Sequence, residues 1–139
     1  MGDIMDCIFC KIIKGDIPSA KVYEDNRVMA FLDIGPANKG HTLVVPKKHS
    51  PNILEDDLDD LKACMKAVQI VAKAVMKTVN AGGFNLITNT NKTAGQLIPH
   101  THFHIIPRFE NDGLKHWPQG KYKEGEMEEI QKKITANIE

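Results

Sequence analysis

Residues 100–106 read HTHFHII, with three histidines at every second position followed by two apolar residues. In a β-strand, side chains alternate between the two faces, so the three imidazoles would project from one side, about 6.6 to 6.8 Å apart at Cα. Histidine combines metal ligation, nucleophilicity and proton transfer near neutral pH. The stretch therefore predicts a strand with a chemical site on one face. The alternatives are an exposed polar strand face and a structural metal row without catalysis.

The residues beside this row favour a site. Gly95-Gln96 precedes it and Pro107-Arg108 follows it, which is typical of a glycine-bearing loop that leads into a strand ended by proline. Loops on a rigid scaffold are where binding and catalytic residues concentrate.

Outward from the row, the pattern predicts an antiparallel α+β fold. Strands are expected at 21–24, 28–33, 41–46, 84–88 and 100–106. A long helix over 58–79 is predicted from an apolar stripe at Leu58, Leu61, Met65, Val68, Val71, Ala72, Val75 and Val79. Shorter helices are expected over 7–14 and 124–138. Strands in succession with short connections indicate one five-stranded antiparallel sheet.

Length and composition are those of one domain. The chain has 139 residues and is 42% hydrophobic, so we expect a single domain over 1–139, with a core over about 5–108 and a tail over 109–139. Eighteen basic residues balance eighteen acidic ones, so no nucleic-acid partner is expected. Apolar runs are too short for a membrane span, and Asp3 and Asp6 are untypical of a signal peptide, so the expected location is cytoplasmic.

Three cysteines are present, and two of them form Cys7-Ile8-Phe9-Cys10. In a cytosolic protein this spacing favours metal or redox chemistry over a structural disulfide. Cys64 lies on the predicted long helix, where we expect it to pack in the core. No GxGxxG or Walker-type loop occurs, so a bound nucleotide would need another phosphate site.

Taken together, these motifs resemble the histidine triad (HIT) family of nucleotide hydrolases and transferases, in particular its zinc-bearing Hint-like branch. The resemblance covers roughly the first 108 residues: 7–12, 30–33, 40–47, Asn89, Gly95-Gln96 and the triad itself. The family pattern has an apolar residue where this chain has Thr101. We expect that residue to face away from the histidines and not to affect the chemistry.

The resemblance implies a catalytic set of His102, His104, His41 and His100. His102 would attack the α-phosphorus of a nucleotide and form a nucleotidyl-histidine, while a backbone carbonyl near the first histidine holds its other N–H. His104 and His41 would contact the phosphate or leaving group and supply protons. For His41, the alternative is a hydrogen-bonded histidine at the start of a strand.

The resemblance also implies a nucleotide site. Asp33 would accept hydrogen bonds from the ribose hydroxyls, or it is an ordinary strand-end turn residue. Asn89, Gly95 and Gln96 would form the phosphate loop, where Leu97 replaces a serine or threonine found in many members. The base pocket would be drawn from apolar residues that are equally good core residues: Ile8, Phe9, Phe31, Leu32 and Leu43.

The Cys7/Cys10 pair needs two further ligands to close a tetrahedral zinc site. In zinc-bearing relatives these are the first triad histidine and a histidine after a Pro-Lys-Lys segment, here His100 and His49. Such a closed site is structural, leaves His102 free and requires no catalytic metal. A redox pair and two buried thiols without metal are the alternatives.

The function implied is an intracellular, homodimeric hydrolase of nucleoside 5′-phosphoramidates or related purine nucleotides. One alternative is a diadenosine polyphosphate hydrolase, and another is a nucleotide-binding or scaffold protein with incidental turnover. In the tail, residues 116–118 are similar to a segment that in some relatives reaches the partner's site, unless Trp117 simply packs on the surface.

Overall fold

The computed structural model describes residues 6–139. Three predictions fall partly outside the described residues: the position of Asp3, the start of the domain at residue 1 and the start of its core at about residue 5. The described chain contains eight helices and strands, with a short 3-10 turn before the fifth strand. In chain order they are α1 (Ile8–Lys14), β1 (Lys21–Glu24), β2 (Val28–Leu32), β3 (Thr42–Pro46), α2 (Leu58–Val79), β4 (Gly83–Ile87), β5 (Phe103–Arg108) and α3 (Glu126–Asn137).

The five strands form one sheet in the order β1-β2-β3-β5-β4, and every neighbouring pair is antiparallel. The predicted α+β class and five-stranded sheet are confirmed. Because side chains alternate along each strand, the sheet has two covered faces. One face carries α2 and the other carries α1. The histidine face is the α1 face, since His104 pairs with Leu43, which packs in the α1 cluster.

Helix α2 covers one face of the sheet with the buried row Cys64, Val68, Val71 and Val75. Its predicted bounds and the core position of Cys64 are confirmed. Two residues of the predicted stripe, Leu58 and Met65, are exposed. The predicted burial of Met65 is wrong because its neighbour Cys64 takes the sheet-facing position, about 100° away around the helix. The predicted burial of Leu58 is wrong because Asp60, which pairs with Arg27, is the buried residue of the first turn.

Helix α1 packs on the opposite face and places both N-terminal cysteines against the sheet. Cys7 is its N-cap, and the Cys7 sulfur accepts a hydrogen bond from the Cys10 backbone N–H at 3.4 Å. The helix ends at Gly15, whose φ of 85° is a conformation that glycine adopts without steric penalty. The predicted short N-terminal helix is confirmed, and its buried Phe9 and Ile12 form the core on this side.

Strand β5 begins at Phe103, not at His100 as predicted. The reason is that His100 and Thr101 bond to the end of β3 and to the segment after it instead of continuing the ladder between strands. The Thr101 N–H donates to the Ser50 carbonyl at 2.9 Å, and His100 Nε2–H donates to the Pro46 carbonyl at 2.8 Å. His100 and His102 therefore belong to a connection that is fastened to the sheet, while His104 lies on the strand.

The C-terminal helix α3 is slightly shorter than predicted, and none of its residues is buried. Among the described residues, no helix is both long and apolar enough to cross a membrane.

Candidate active site and metal centre

His102 is held in one tautomer by its own backbone neighbourhood. Its Nδ1–H donates to the carbonyl of His100 at 2.7 Å, which leaves Nε2 with a free lone pair. The ring is buried and lies edge-on to Phe9, with 5.0 Å between ring centroids. Burial lowers the pKa of His102, so the imidazole is neutral near pH 7. A neutral imidazole with a free Nε2 is the form that nucleophilic attack requires.

His41 and His104 form a directional hydrogen-bond chain beside His102. The Ala37 N–H donates to His41 Nδ1 at 3.0 Å, so a neutral His41 carries its proton on Nε2. That Nε2–H donates to His104 Nδ1 at 2.9 Å, and a neutral His104 then presents its own Nε2–H as a donor. The His102 and His104 rings are 4.9 Å apart, centroid to centroid. The chain ends in a proton donor next to a nucleophile.

The pKa values of both relay histidines are lowered. For His104, burial lowers the pKa to about 4, and the neighbouring His102 and His41 act in the same direction. For His41, burial lowers the pKa while the charge of Asp33 opposes the shift. Both rings are therefore neutral at pH 7, as the hydrogen-bond chain requires.

The shift of His104 predicts an acid-sensitive stability. Between its folded pKa of about 4 and its ordinary value of 6.5, the unfolded chain binds the proton first. This contribution to the free energy of unfolding is fully present above pH 6.5 and is lost as the pH falls toward 4. We expect urea unfolding between pH 7.5 and 4.5 to show a smaller acid loss in His104→Gln than in wild type.

His116→Gln is the matched control, because His116 is exposed in the tail and should leave the wild-type profile unchanged. Any acid release of a metal would affect wild type and His104→Gln alike, so their difference isolates His104. Parallel profiles of the two proteins would contradict the prediction.

Asp33 lies at the end of β2 beside this chain. Its backbone N–H donates to the His41 carbonyl at 2.9 Å, and its Oδ1 accepts the Gly35 N–H at 2.8 Å. Its Oδ2 is 3.6 Å from His41 Nε2. One carboxylate oxygen of Asp33 thus stabilises the turn, while the other oxygen faces the histidines.

Asp33, His41 and His104 also place their ligand atoms within 4.8 Å of one another, a distance that would suit a metal. The tautomers argue against that use. The Ala37 N–H occupies the lone pair of His41 Nδ1, so the proton is on Nε2, the nitrogen that would have to bind the ion. This group is better suited to hydrogen bonding and proton transfer.

A second cluster is better suited to binding a metal, because its ligand atoms converge on one point. The ligand atoms of Cys7, Cys10, His49 and His100 lie within 4.8 Å of one another. His100 Nδ1 is 3.4 Å from Cys7 Sγ, 3.6 Å from Cys10 Sγ and 3.2 Å from His49 Nδ1. Tetrahedral zinc, with bonds of about 2.3 Å to sulfur and 2.0–2.1 Å to nitrogen, has S···N edges of about 3.6 Å and N···N edges of about 3.4 Å.

The chemistry of the donor set also fits zinc. His100 donates its Nε2–H to the Pro46 carbonyl, which fixes Nδ1 as the lone-pair nitrogen that faces the cluster. Burial, followed by the neighbouring Cys7, raises the pKa of Cys10 to about 11. A divalent cation supplies the charge that allows such buried thiols to ionise. The residues present therefore fit a closed Cys2His2 zinc site.

This cluster changes the interpretation of His100 as a catalytic residue. Both of its ring nitrogens are engaged, one with the cluster and one with Pro46, so neither is available to a substrate. Its link to the chemistry is its carbonyl, which fixes the His102 tautomer.

The phosphate loop also differs from the expectation. The Gly95 and Gln96 N–H groups donate to the carbonyls of Lys92 and Asn91, so they close the loop on itself. The Gln96 side chain is buried and accepts the Asn91 N–H, while its amide donates to the Pro51 carbonyl at 2.6 Å. Gln96 is therefore a brace inside the protein. Gly95, at φ 91°, lies against Asn89, whose amide remains the candidate for phosphate.

The predicted base-pocket residues separate into two groups. Phe9, Phe31 and Leu43 pack together on the histidine face, and Ile8 is exposed on α1 beside them. The prediction that Leu32 belongs to the base pocket is wrong. Strand alternation directs its side chain to the α2 face, where it lines an apolar groove of about 380 Å³. Ile34, which the prediction did not include, is a fully exposed apolar side chain directly after Asp33 in the sequence.

Comparison with curated proteins finds relatives that match this chain over nearly all of both sequences. An uncharacterized HIT-like protein of Methanocaldococcus jannaschii is 48% identical over 132 residues, covering 94% of this chain and 99% of the relative. The adenosine 5′-monophosphoramidase of Schizosaccharomyces pombe is 40% identical over 136 residues, covering 96% and 99%.

Two solved structures extend the comparison. A HIT-family protein of Bacillus subtilis superposes with a TM-score of 0.89 at 43% identity, over 96% of this chain and 98% of the other. A zinc-bound histidine triad protein of Mycobacterium smegmatis superposes with a TM-score of 0.77 at 30% identity, over 97% and 100%. The HIT domain family model matches residues 14–111, and the chain belongs to the HIT family.

Proposed function

We propose that this protein hydrolyses nucleoside 5′-phosphoramidates or related purine nucleotides at the α-phosphate, through a covalent intermediate on His102. The observation that carries the proposal is the pairing of two tautomers. His102 has a free Nε2 lone pair because its Nδ1–H is bonded to the His100 carbonyl, and His104 offers an N–H donor beside it. Nucleophile and general acid are thus adjacent and in complementary protonation states.

In the first step, His102 Nε2 attacks the α-phosphorus, and the bond from phosphorus to the leaving nitrogen breaks. The departing amine takes the Nε2 proton of His104, and His104 Nδ1 takes the Nε2 proton of His41. The negative charge left on His41 is balanced by the positive charge on the His102 ring, which keeps its Nδ1–H while Nε2 is bonded to phosphorus. In the second step, water attacks phosphorus, His102 leaves, and the water proton returns through His104. The products are a nucleoside monophosphate and an amine, and the enzyme is regenerated.

Other residues are assigned to substrate binding. The free oxygen of Asp33 is suited to the ribose hydroxyls, and Asn89 to the phosphate. Phe9, Phe31 and Ile34 supply apolar surface for a purine base. The S. pombe relative, an adenosine 5′-monophosphoramidase, supports this substrate class.

We further propose that zinc, held by Cys7, Cys10, His49 and His100, has a structural role and that no metal takes part in the reaction. When bound, zinc would neutralise two thiolates and fasten α1 to the segments that carry His49 and His100. The zinc-bound relative of M. smegmatis supports this assignment.

The proposal includes a single domain over 1–139 that forms a homodimer. The edge strand β4 exposes Phe84 and Leu86, and α2 exposes Met65 and Ile70, which gives apolar surface for a second copy.

The substrate class is tested by measuring AMP release, by chromatography, from adenosine 5′-phosphoramidate and from diadenosine tetraphosphate. We expect a higher kcat/KM for the phosphoramidate, because the relay of His41 and His104 can protonate a basic amine as it leaves. A higher value for the tetraphosphate would replace the proposal with a diadenosine polyphosphate hydrolase. Tight nucleotide binding without release of AMP from either would indicate a binding protein.

A further inference from the structure

Thr101 occupies the position between the zinc-cluster histidine and the proposed nucleophile. Its side chain was expected to be remote from the chemistry, yet it is only 1% exposed and makes a short polar contact. The Thr101 hydroxyl donates to Oδ2 of Asp56 at 2.6 Å. Hydrogen bonds to a carboxylate are among the strong ones in proteins, so this contact fixes the Thr101 backbone firmly.

The peptide group between His100 and Thr101 connects this contact to the nucleophile. Its carbonyl accepts the Nδ1–H of His102 at 2.7 Å, and its N–H donates to the Ser50 carbonyl at 2.9 Å. A peptide group is a rigid plane, so a rotation that breaks one of these bonds also misdirects the other. Whatever holds Thr101 therefore also holds the carbonyl that selects the His102 tautomer.

Asp56 is partly buried but is not used as an ion-pair partner. Its neighbour Asp57 pairs with Lys48 at 2.6 Å, and Asp60 pairs with Arg27 at 2.9 Å. Within residues 6–139, no ion pair includes Asp56. A partly buried carboxylate without a cation is unfavourable unless it is hydrogen-bonded, and here Thr101 donates the short bond, with the Ser50 side chain as a second partner.

We propose that Asp56 is a positioning residue which, through Thr101 and the peptide group between His100 and Thr101, holds the His102 imidazole in its reactive tautomer. The inference rests on the proposed function, because it assumes that His102 Nε2 is the attacking atom. Asp56 itself does not touch the reacting atoms.

The test compares kcat and KM for AMP release in Asp56→Ala, Thr101→Val, Asp56→Asn and Thr101→Ser. We expect the first two to lower kcat roughly 10- to 100-fold with KM nearly unchanged, because only the alignment of the nucleophile is disturbed. Asp56→Asn keeps an acceptor oxygen and Thr101→Ser keeps the hydroxyl, so both should restore most of kcat. The double variant Asp56→Ala/Thr101→Val should be no slower than either single variant.

Asp57→Asn is the matched control, since it removes a carboxylate one residue away at the same helix end without touching Thr101. It should keep wild-type kcat. If Asp57→Asn and Asp56→Asn both lower kcat as much as Asp56→Ala, the charge at the start of α2 is what matters, and the inference is overturned. Loss of zinc from Asp56→Ala would also overturn it, by assigning the effect to the metal site.

A readout without catalysis separates this inference from the proposed function. The ¹⁵N resonances of the His102 ring report which nitrogen carries the proton. We expect the Nδ1–H form in wild type and Thr101→Ser, and a mixture of tautomers in Thr101→Val. If wild type turns over neither nucleotide but Thr101→Val shows the mixture of tautomers, the proposed function fails while the positioning role stands. Identical tautomers in all proteins would overturn the positioning role itself.

Discussion

His102→Ala is expected to abolish AMP release from adenosine 5′-phosphoramidate, with a fall in kcat on the order of 10⁴-fold or more. The alanine removes the nitrogen that attacks phosphorus in the first step, so no nucleotidyl intermediate forms and the second step has no substrate. The surrounding fold should persist. The imidazole bonds to the His100 carbonyl and makes edge contacts with the Phe9 and His104 rings, and none of these is a hydrogen bond between strands.

Three measurements separate loss of chemistry from loss of structure. Calorimetry should show that His102→Ala still binds AMP, since Asp33 and the apolar residues around Phe9 remain. Mass spectrometry after rapid quenching should detect a nucleotidyl adduct on wild type and none on the variant. Lys132→Ala, which alters an exposed side chain of α3, should keep full activity. Residual AMP release from His102→Ala within tenfold of wild type would contradict the assignment of the nucleophile.

Cys10→Ser is expected to remove zinc and to lower Tm by about 10 °C. A ligand present at a thousand times its Kd stabilises the folded state by about 4.1 kcal/mol, and for a chain of this size each 1 kcal/mol shifts Tm by about 3 °C. Cys10 Sγ is 3.4 Å from His49 Nδ1 and 3.6 Å from His100 Nδ1, so it has the position of one of the four zinc ligands. Metal content by atomic absorption and Tm by calorimetry, with and without a chelator, check the prediction.

Cys64→Ala is the control for this experiment. Cys64 is buried on the sheet-facing side of α2, across the sheet from the cluster, so its loss should lower Tm by a core-packing effect. Zinc content should stay at one per chain, and the chelator should still lower Tm further. The structural zinc site is refuted if the chelator lowers the Tm of Cys10→Ser and of wild type by the same amount, or if wild type binds no zinc.

Local patterns of the sequence predicted most of the elements. The helical spacing of α2 gave its bounds, because a long apolar stripe leaves few alternatives, and the CxxC pair was correctly placed at the start of a helix. Strand alternation also determines which residues share a face. It separates Leu32 from Phe31, so the error in assigning Leu32 to the pocket came from treating neighbours in the sequence as neighbours in space.

The chemistry of the histidines depended on contacts that no local pattern contains. The composition of residues 100–104 determined by itself that a nucleophile, a proton donor and a metal ligand could occur together. Tertiary structure decided which histidine has which property, through the carbonyl of Pro46, the N–H of Ala37 and the carbonyl of His100. Two of these three partners lie more than fifty residues from the histidine row. A tautomer is selected by the partner of the other ring nitrogen, so only the folded chain can determine it.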